Sequence, residues 1–252
     1  MNEPYEFAGV SLGWRPETAW LIHRRKDLLF TEVVAENLCA SALPTPLAQL
    51  KQRGVTLIPH GVSLSLGGVE GYSCAALDHL SRLAELLGAP CVSEHIAYVR
   101  AGGIEAGHLL PVARTERMLD LVVSNVRRAQ QVLPVPLALE HIATLFEWPE
   151  AAMDEATFVS EVLTRTGCKL VLDLANLYAN AHNHGSDPLA FLRRFSREQI
   201  AYAHLAGGRW DGDVYHDTHG APASPAVLDL LGAAIELLGP LPVLVERDHH
   251  FG

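Results

Sequence analysis

The 252-residue chain has only four cysteines, Cys39, Cys74, Cys91 and Cys168, and no two of them form a CxxC pair. That spacing argues against a thiolate zinc site and points to a reduced compartment. Positive charge is short as well: 19 Lys and Arg stand against 29 Asp and Glu, a formal net charge of −10. Non-specific binding to nucleic acid or to an anionic membrane needs the opposite balance. No apolar run reaches the length of a membrane span, and the start, MNEPYEFAGV, has neither the basic residues nor the apolar stretch of a secretory signal. The expectation is a cytoplasmic protein without a membrane or nucleic-acid partner. Linkers and low-complexity tracts are also missing, so a single domain over residues 1–252 is expected.

What the chain has instead is a pattern. Hydrophobic residues make up 49% of it, and seven short apolar runs end abruptly in a carboxylate or a histidine: EVVAE at Glu36, VTLIPH at His60, CVSEH at His95, LALE at Glu140, KLVLD at Asp173, IAYAH at His204 and PVLVE at Glu246. An eighth run, AGVSLGW at 8–14, opens the series. Continuous apolar runs of this length suit strands buried on both faces, and a sheet so covered is usually parallel. Amphipathic stretches separate them at 15–29, 45–53, 73–88, 112–132, 154–167, 187–196 and 224–238. Eight strands alternating with helices predict an α/β fold, a (β/α)8 TIM barrel, in which the C-terminal ends of all the strands meet on one face. The sequence stops six residues after Glu246, so the first and last strands are expected to close the barrel without a closing helix.

Three connections, 61–72, 97–111 and 207–224, are long and glycine-rich, and they read as loops that shape a substrate site on that face. NAHNHG, with His182 and His184, and HDTHG, with Asp217 and His219, read as loops of the same face. With the strand-end residues they make a donor set of imidazoles and carboxylates without cysteine, which suits divalent Zn, Mn or Fe and allows more than one ion. Like cations held close together need bridging carboxylates, and Glu140 and Asp173 on neighbouring runs are the candidates. A mouth lined only with salt bridges is the bland alternative, but it does not require so many imidazoles. Glu94 and Asn176 are candidates to orient ligands. Glu36 is read as an outer or substrate contact, with an ion pair to Arg15 as the alternative, and His141 should point behind the barrel.

The segments HGVSLSLGG, VSEHIAY, LLP at 109–111, RTGCKLVLDLANLYANAHNHGSDP, AHLAGG and DTHGAP resemble the multinuclear non-heme iron-dependent oxidative enzymes, the MNIO family, which includes the iron enzyme of methanobactin biosynthesis. The resemblance runs from GVSLGWRPE to VERD, and DxxNxYxxxxNHG together with DTHG is not a general feature of barrels. It implies a xylose-isomerase-like barrel, two or three iron ions (Fe2+/Fe3+) and O2 as cosubstrate. It also implies oxidation of a residue, commonly cysteine, in a ribosomally synthesised precursor peptide, which in many relatives a small partner protein presents. Carried onto this sequence, the resemblance makes His60, His95, Glu140, Asp173, His184, His204, Asp217, His219 and Glu246 the metal ligands, with Glu140, Asp173 and His219 catalytic. By analogy one ion takes His60, His95 and Glu140, a second Glu140, Asp173, His204 and Glu246, and a third His184, Asp217 and His219. The chain departs from its relatives at His141 and Ala175, where they carry Asn, and at Arg247, where they carry Trp.

Two other activities use comparable barrels. A zinc or manganese hydrolase of the endonuclease IV type has a similar donor count, but its DNA-binding face should be basic. A two-ion sugar isomerase would want a lysine at a strand end, and none stands there.

Overall fold

Side chains alternate across a strand, so a barrel strand shows one set of residues to the lumen and the other to the surrounding helices. Both sets are buried here, which is why the runs look continuous. The computed structural model describes residues 7–251. In chain order it contains β1 (Val10–Leu12), α1 (Ala19–Arg24), β2 (Phe30–Val34), α2 (Thr45–Gln52), β3 (Thr56–His60), α3 (Cys74–Leu87) and β4 (Val92–His95). A hairpin follows, β5 (Tyr98–Ala101) with β6 (Ile104–Leu110), then α4 (Glu116–Gln130), β7 (Leu137–Glu140), α5 (Glu155–Thr166), β8 (Lys169–Asp173), α6 (Leu174–His184) and α7 (Pro188–Leu192). The chain continues with β9 (Ile200–Leu205), a second hairpin of β10 (Gly207–Asp211) and β11 (Val214–Ala221), α8 (Pro225–Leu238) and β12 (Val243–Val245).

Eight of these strands form one parallel sheet in the order β1-β12-β9-β8-β7-β4-β3-β2. Its two ends meet at a parallel bridge between Trp14 and Val33, where Trp14 N donates to Glu32 O at 2.8 Å. The sheet thus closes into a (β/α)8 TIM barrel. Ser73, Thr115 and Asp154 cap α3, α4 and α5, and Gly88 and Gly167 end α3 and α5 in the left-handed conformation.

Two apolar clusters result. The larger lies between strands and helices, and the smaller fills the lumen with Phe30, Ile58, Cys91, Ala138, Val171, Tyr202 and Leu244 among its members. Two residues on from each of these stand Glu32, His60, Ser93, Glu140, Asp173, His204 and Glu246, every one buried. The lumen therefore holds a hydrophobic floor with a polar layer directly above it.

Three sequence expectations change. The EVVAE run does not end its strand at Glu36: β2 stops at Val34, Glu36 lies in a 3-10 turn, and the lumen-facing carboxylate is Glu32. The long connections at 97–111 and 207–224 are largely the two hairpins rather than loops. NAHNHG is the end of α6, not a loop.

Candidate metal centre

Glu140 Oε2 sits among three imidazoles, 3.7 Å from His60 Nε2, 3.5 Å from His95 Nε2 and 3.4 Å from His204 Nδ1. His204 Nδ1 is also 3.3 Å from Glu246 Oε2 and 3.8 Å from Asp173 Oδ2. Glu246 Oε2 leads on to His219 Nδ1 at 3.4 Å, and His219 Nε2 meets Asp217 Oδ2 at 2.7 Å. Most of these separations are too long for hydrogen bonds. They match the edge of a coordination polyhedron instead, about 3–3.5 Å for metal–ligand bonds of ~2.1 Å.

The outward-facing atoms are held in place. His60 Nδ1 is 2.9 Å from Ser93 Oγ, and His95 Nδ1 donates to Gly61 O at 3.1 Å. Asn176 Nδ2 donates to Glu140 Oε1 at 3.3 Å, which leaves Oε2 as the bare oxygen. Glu94 accepts from the backbone N of His95 at 2.7 Å and of Leu64 at 2.9 Å, tying the β3–α3 connection to β4.

Several donor atoms here have no other use, whereas both ring nitrogens of His219 meet carboxylates, Asp217 and Asp248. Glu32 Oε1, Glu140 Oε2, Asp173 Oδ2, His204 Nδ1 and Asp217 Oδ1 are all buried without a hydrogen-bond partner. Each such orphan costs about 1–3 kcal/mol, and their convergence gives a donor set that a cation could satisfy. Four groups have ligand atoms within 4.8 Å of one another: His60, His95 and Glu140; Glu140, Asp173 and His204; Glu32, His204 and Glu246; and Asp173, His219 and Glu246. Because Glu140, Asp173, His204 and Glu246 are each shared between groups, the residues fit more than one divalent ion side by side.

Electrostatics agree with that fit. Burial lowers His95, but Glu140 and Glu94 outweigh it and push it up to about 9. Burial, with Asp217 and Glu140 adding to it, pushes Asp173 up to about 7. Against burial, His204 and His60 bring Glu32 down to about 2, and His204 and His95 hold Glu140 well below the usual carboxylate range. His204 rises well above the ordinary imidazole value despite its burial, because Glu246, Glu32 and Glu140 surround it. These opposed shifts mark a surplus of buried negative charge that divalent cations would offset.

Of the nine ligands the resemblance implies, eight come together: His60, His95, Glu140, Asp173, His204, Asp217, His219 and Glu246. His184 turns away, with Nε2 2.7 Å from Thr144 Oγ1 and 2.9 Å from Thr144 O. Its neighbour Asn183 reaches the site indirectly, since its amide both donates to Tyr215 O and accepts from Tyr215 N, each at 2.9 Å. That clamp sits two residues before Asp217. His219 itself adopts a left-handed backbone, φ 50°, the kind of strain that persists at functional positions.

Glu36 binds Val62 N and Ser63 Oγ, and Arg15 pairs instead with Asp248 at 2.7 Å and Glu246 at 3.6 Å. His141 faces Glu155 behind the barrel at 3.1 Å. Sequence reasoning missed Glu32, Tyr202 and Asp248. The alternation Phe30, Glu32, Val34 within FTEVV was the available signal for the first.

A cavity of about 230 Å³ opens over His60, His95, Glu140 and His219. Residues 9–252 match the family described as "RiPP precursor modification enzyme MbnB/TglH/ChrH". The chain belongs to this family. A UPF0276 protein of Streptomyces avermitilis is 47% identical over 250 residues, covering 96% of this chain and 51% of its own length, so the chain spans about half of that relative. UPF0276 proteins of Caulobacter vibrioides (34% identical over 245 residues) and Bordetella pertussis (36% over 249) cover 96% of this chain and 88% and 86% of their own length. Among solved structures, an L-ribulose 3-epimerase superposes with a TM-score of 0.62 at 16% identity, covering 97% of this chain and 82% of its own. A zinc-bound IolI protein gives 0.64 at 15% identity, covering 95% and 89%. At such identities the likeness carries the fold alone, a xylose-isomerase-like TIM barrel. No helix among the described residues is long and apolar enough to cross a membrane.

Proposed function

We propose that this member of the MbnB/TglH/ChrH family is a cytoplasmic multinuclear iron enzyme that uses O2 to oxidise a residue, cysteine by preference, in a ribosomally synthesised precursor peptide. The observation that carries the reading is the shared donor set: carboxylates common to adjacent ligand groups, with their bare oxygens turned toward one another. Two or three iron ions held there would supply the redox steps and the open coordination positions. In this reading His60, His95 and Glu140 hold the ion beneath the cavity, Asp173, His204 and Glu246 hold its neighbour, and Asp217 and His219 complete the outer position.

The protein's own contribution is binding, orientation and dryness. At about 230 Å³ the cavity is smaller than the ~300–1,000 Å³ of pockets for drug-sized ligands, so it suits one side chain with its backbone outside. Val34, Val62, Leu109 and Ile142 form apolar walls that exclude water, while Arg15 and His108 offer polar contacts at the edge. A small partner protein that presents the peptide belongs to the same reading.

The test is anaerobic purification followed by metal analysis with Mössbauer and EPR spectroscopy. Two or three irons per chain, and O2 uptake when a cysteine-containing precursor peptide is added, are expected. Stoichiometric zinc with hydrolysis of abasic DNA would overturn the proposal.

A further inference from the structure

We infer that Glu32, which lies outside the ligand set assigned above, is a positioning residue that fixes the ring protons of both His204 and His60, so that each ring turns one bare nitrogen toward the metal centre. The inference rests on the metal reading of that centre. Glu32 is fully buried in the middle of β2. Its Oε2 lies 2.5 Å from Tyr202 Oη and 3.1 Å from His204 Nε2.

An ionised carboxylate can only accept, so His204 must carry its proton on Nε2. The nitrogen left over, Nδ1, is the one 3.4 Å from Glu140 Oε2 and 3.3 Å from Glu246 Oε2, and it has no hydrogen-bond partner. The second ring follows by counting protons. Tyr202 has one hydroxyl proton, and the shorter contact gives it to Glu32. Ser93 Oγ, 3.0 Å from Tyr202 Oη, donates its own proton to Glu32 Oε2 at 3.5 Å. With its own proton used, Ser93 Oγ accepts from His60 Nδ1 at 2.9 Å. His60 Nε2 is thereby bare and faces Glu140 Oε2. One carboxylate on the first half of the barrel thus sets ligands on β3 and β9.

Stability gives little reason to keep an acid at this depth, since buried charges are often replaceable by apolar groups at no cost. Metal ligands, by contrast, need their far nitrogens tied, and the loss of such a partner typically weakens metal affinity 10–100-fold.

The full chain is titrated with Zn2+, which is diamagnetic, and observed by 15N-histidine NMR alongside E32Q, E32M and Y202F. The wild type should show the His204 proton on Nε2. E32Q, whose amide oxygen still accepts, should lose about tenfold in zinc affinity, and E32M about a hundredfold with the His204 proton redistributed between the two nitrogens. Y202F should fall between wild type and E32Q. Should E32M not fold, the near-isosteric E32Q decides. Zinc affinity within twofold of wild type together with an unchanged His204 proton in E32Q would overturn the inference alone. A wild type that loads neither zinc nor iron would overturn the metal reading and this inference with it.

Discussion

Asp173 performs two tasks with its two oxygens. Oδ1 accepts from Asn176 N at 2.8 Å and caps α6, while Oδ2 is buried and bare at the candidate metal centre. Asn caps a helix as well as Asp does, so Asp173→Asn should melt close to the metal-free wild type yet fail to retain its full metal complement. Asp173→Ala should lose the metal and about 1 kcal/mol of cap stability besides. Thermal melts paired with metal analysis separate the two roles, and full loading of D173N would remove Asp173 from the ligand set. The pH response is also set at single residues. Without cations His95 is pushed up to about 9 and Asp173 to about 7, so at pH 6 both hold protons that an incoming ion must displace. Metal affinity should weaken between pH 8 and pH 6, and uptake should release protons, as calorimetry in buffers of different ionisation enthalpy would register. Affinity independent of pH would contradict the assignment. At this scale the strand-end ligands were legible because each interrupts an apolar run. Glu32 was not, because it opens the EVVAE run instead of ending it, and only its alternation with Phe30 and Val34 marked its direction.

At the level of elements, the hairpin β10–β11 brings Asp217 and His219 to the barrel mouth, and α6 holds it there. Asn183 clamps Tyr215 on both backbone atoms, Tyr178 meets the Tyr215 ring edge-on at 4.9 Å, and His182 packs edge-on to Trp210 at 4.4 Å. Gly208 lets the hairpin strands approach, since a Cβ there would lie 2.1 Å from His216 O. Asn183→Ala should therefore speed amide exchange across residues 214–221 and lower occupancy of the His219 position, while the His60, His95 and Glu140 group keeps its ion. Equal loss at both positions would mean that Asn183 acts on the fold as a whole. NHG and DTHG stood out in the sequence as one constellation, but the hydrogen bonds of the asparagine go to Tyr215, just ahead of DTHG, and His184 turns to Thr144. A histidine written into a motif shows its chemistry but not its direction.

For the whole molecule, the contacts that join the first and last strands also reach the candidate centre. Arg15, just past β1, joins Asp248 and Glu246 just past β12, and Asp248 in turn reaches His219 Nδ1 at 3.1 Å. Removing one partner of a buried ion pair costs roughly 3–5 kcal/mol. Asp248 is 35% exposed, so about 2–3 kcal/mol is the expectation for Arg15→Ala, read from the denaturant midpoint, with weaker metal retention at His219. An unchanged midpoint would show that the strand pairing alone closes the barrel. The sequence by itself determined the barrel, because eight apolar runs separated by amphipathic helices admit few other ways of burying that surface. It also determined the chemical type of the centre, because imidazoles and carboxylates recur where parallel strands end. Only the tertiary structure decided which of them meet. Residues from 2 to 233 positions apart converge there, and their contacts depend on strand register and closure, neither of which is written into any single run.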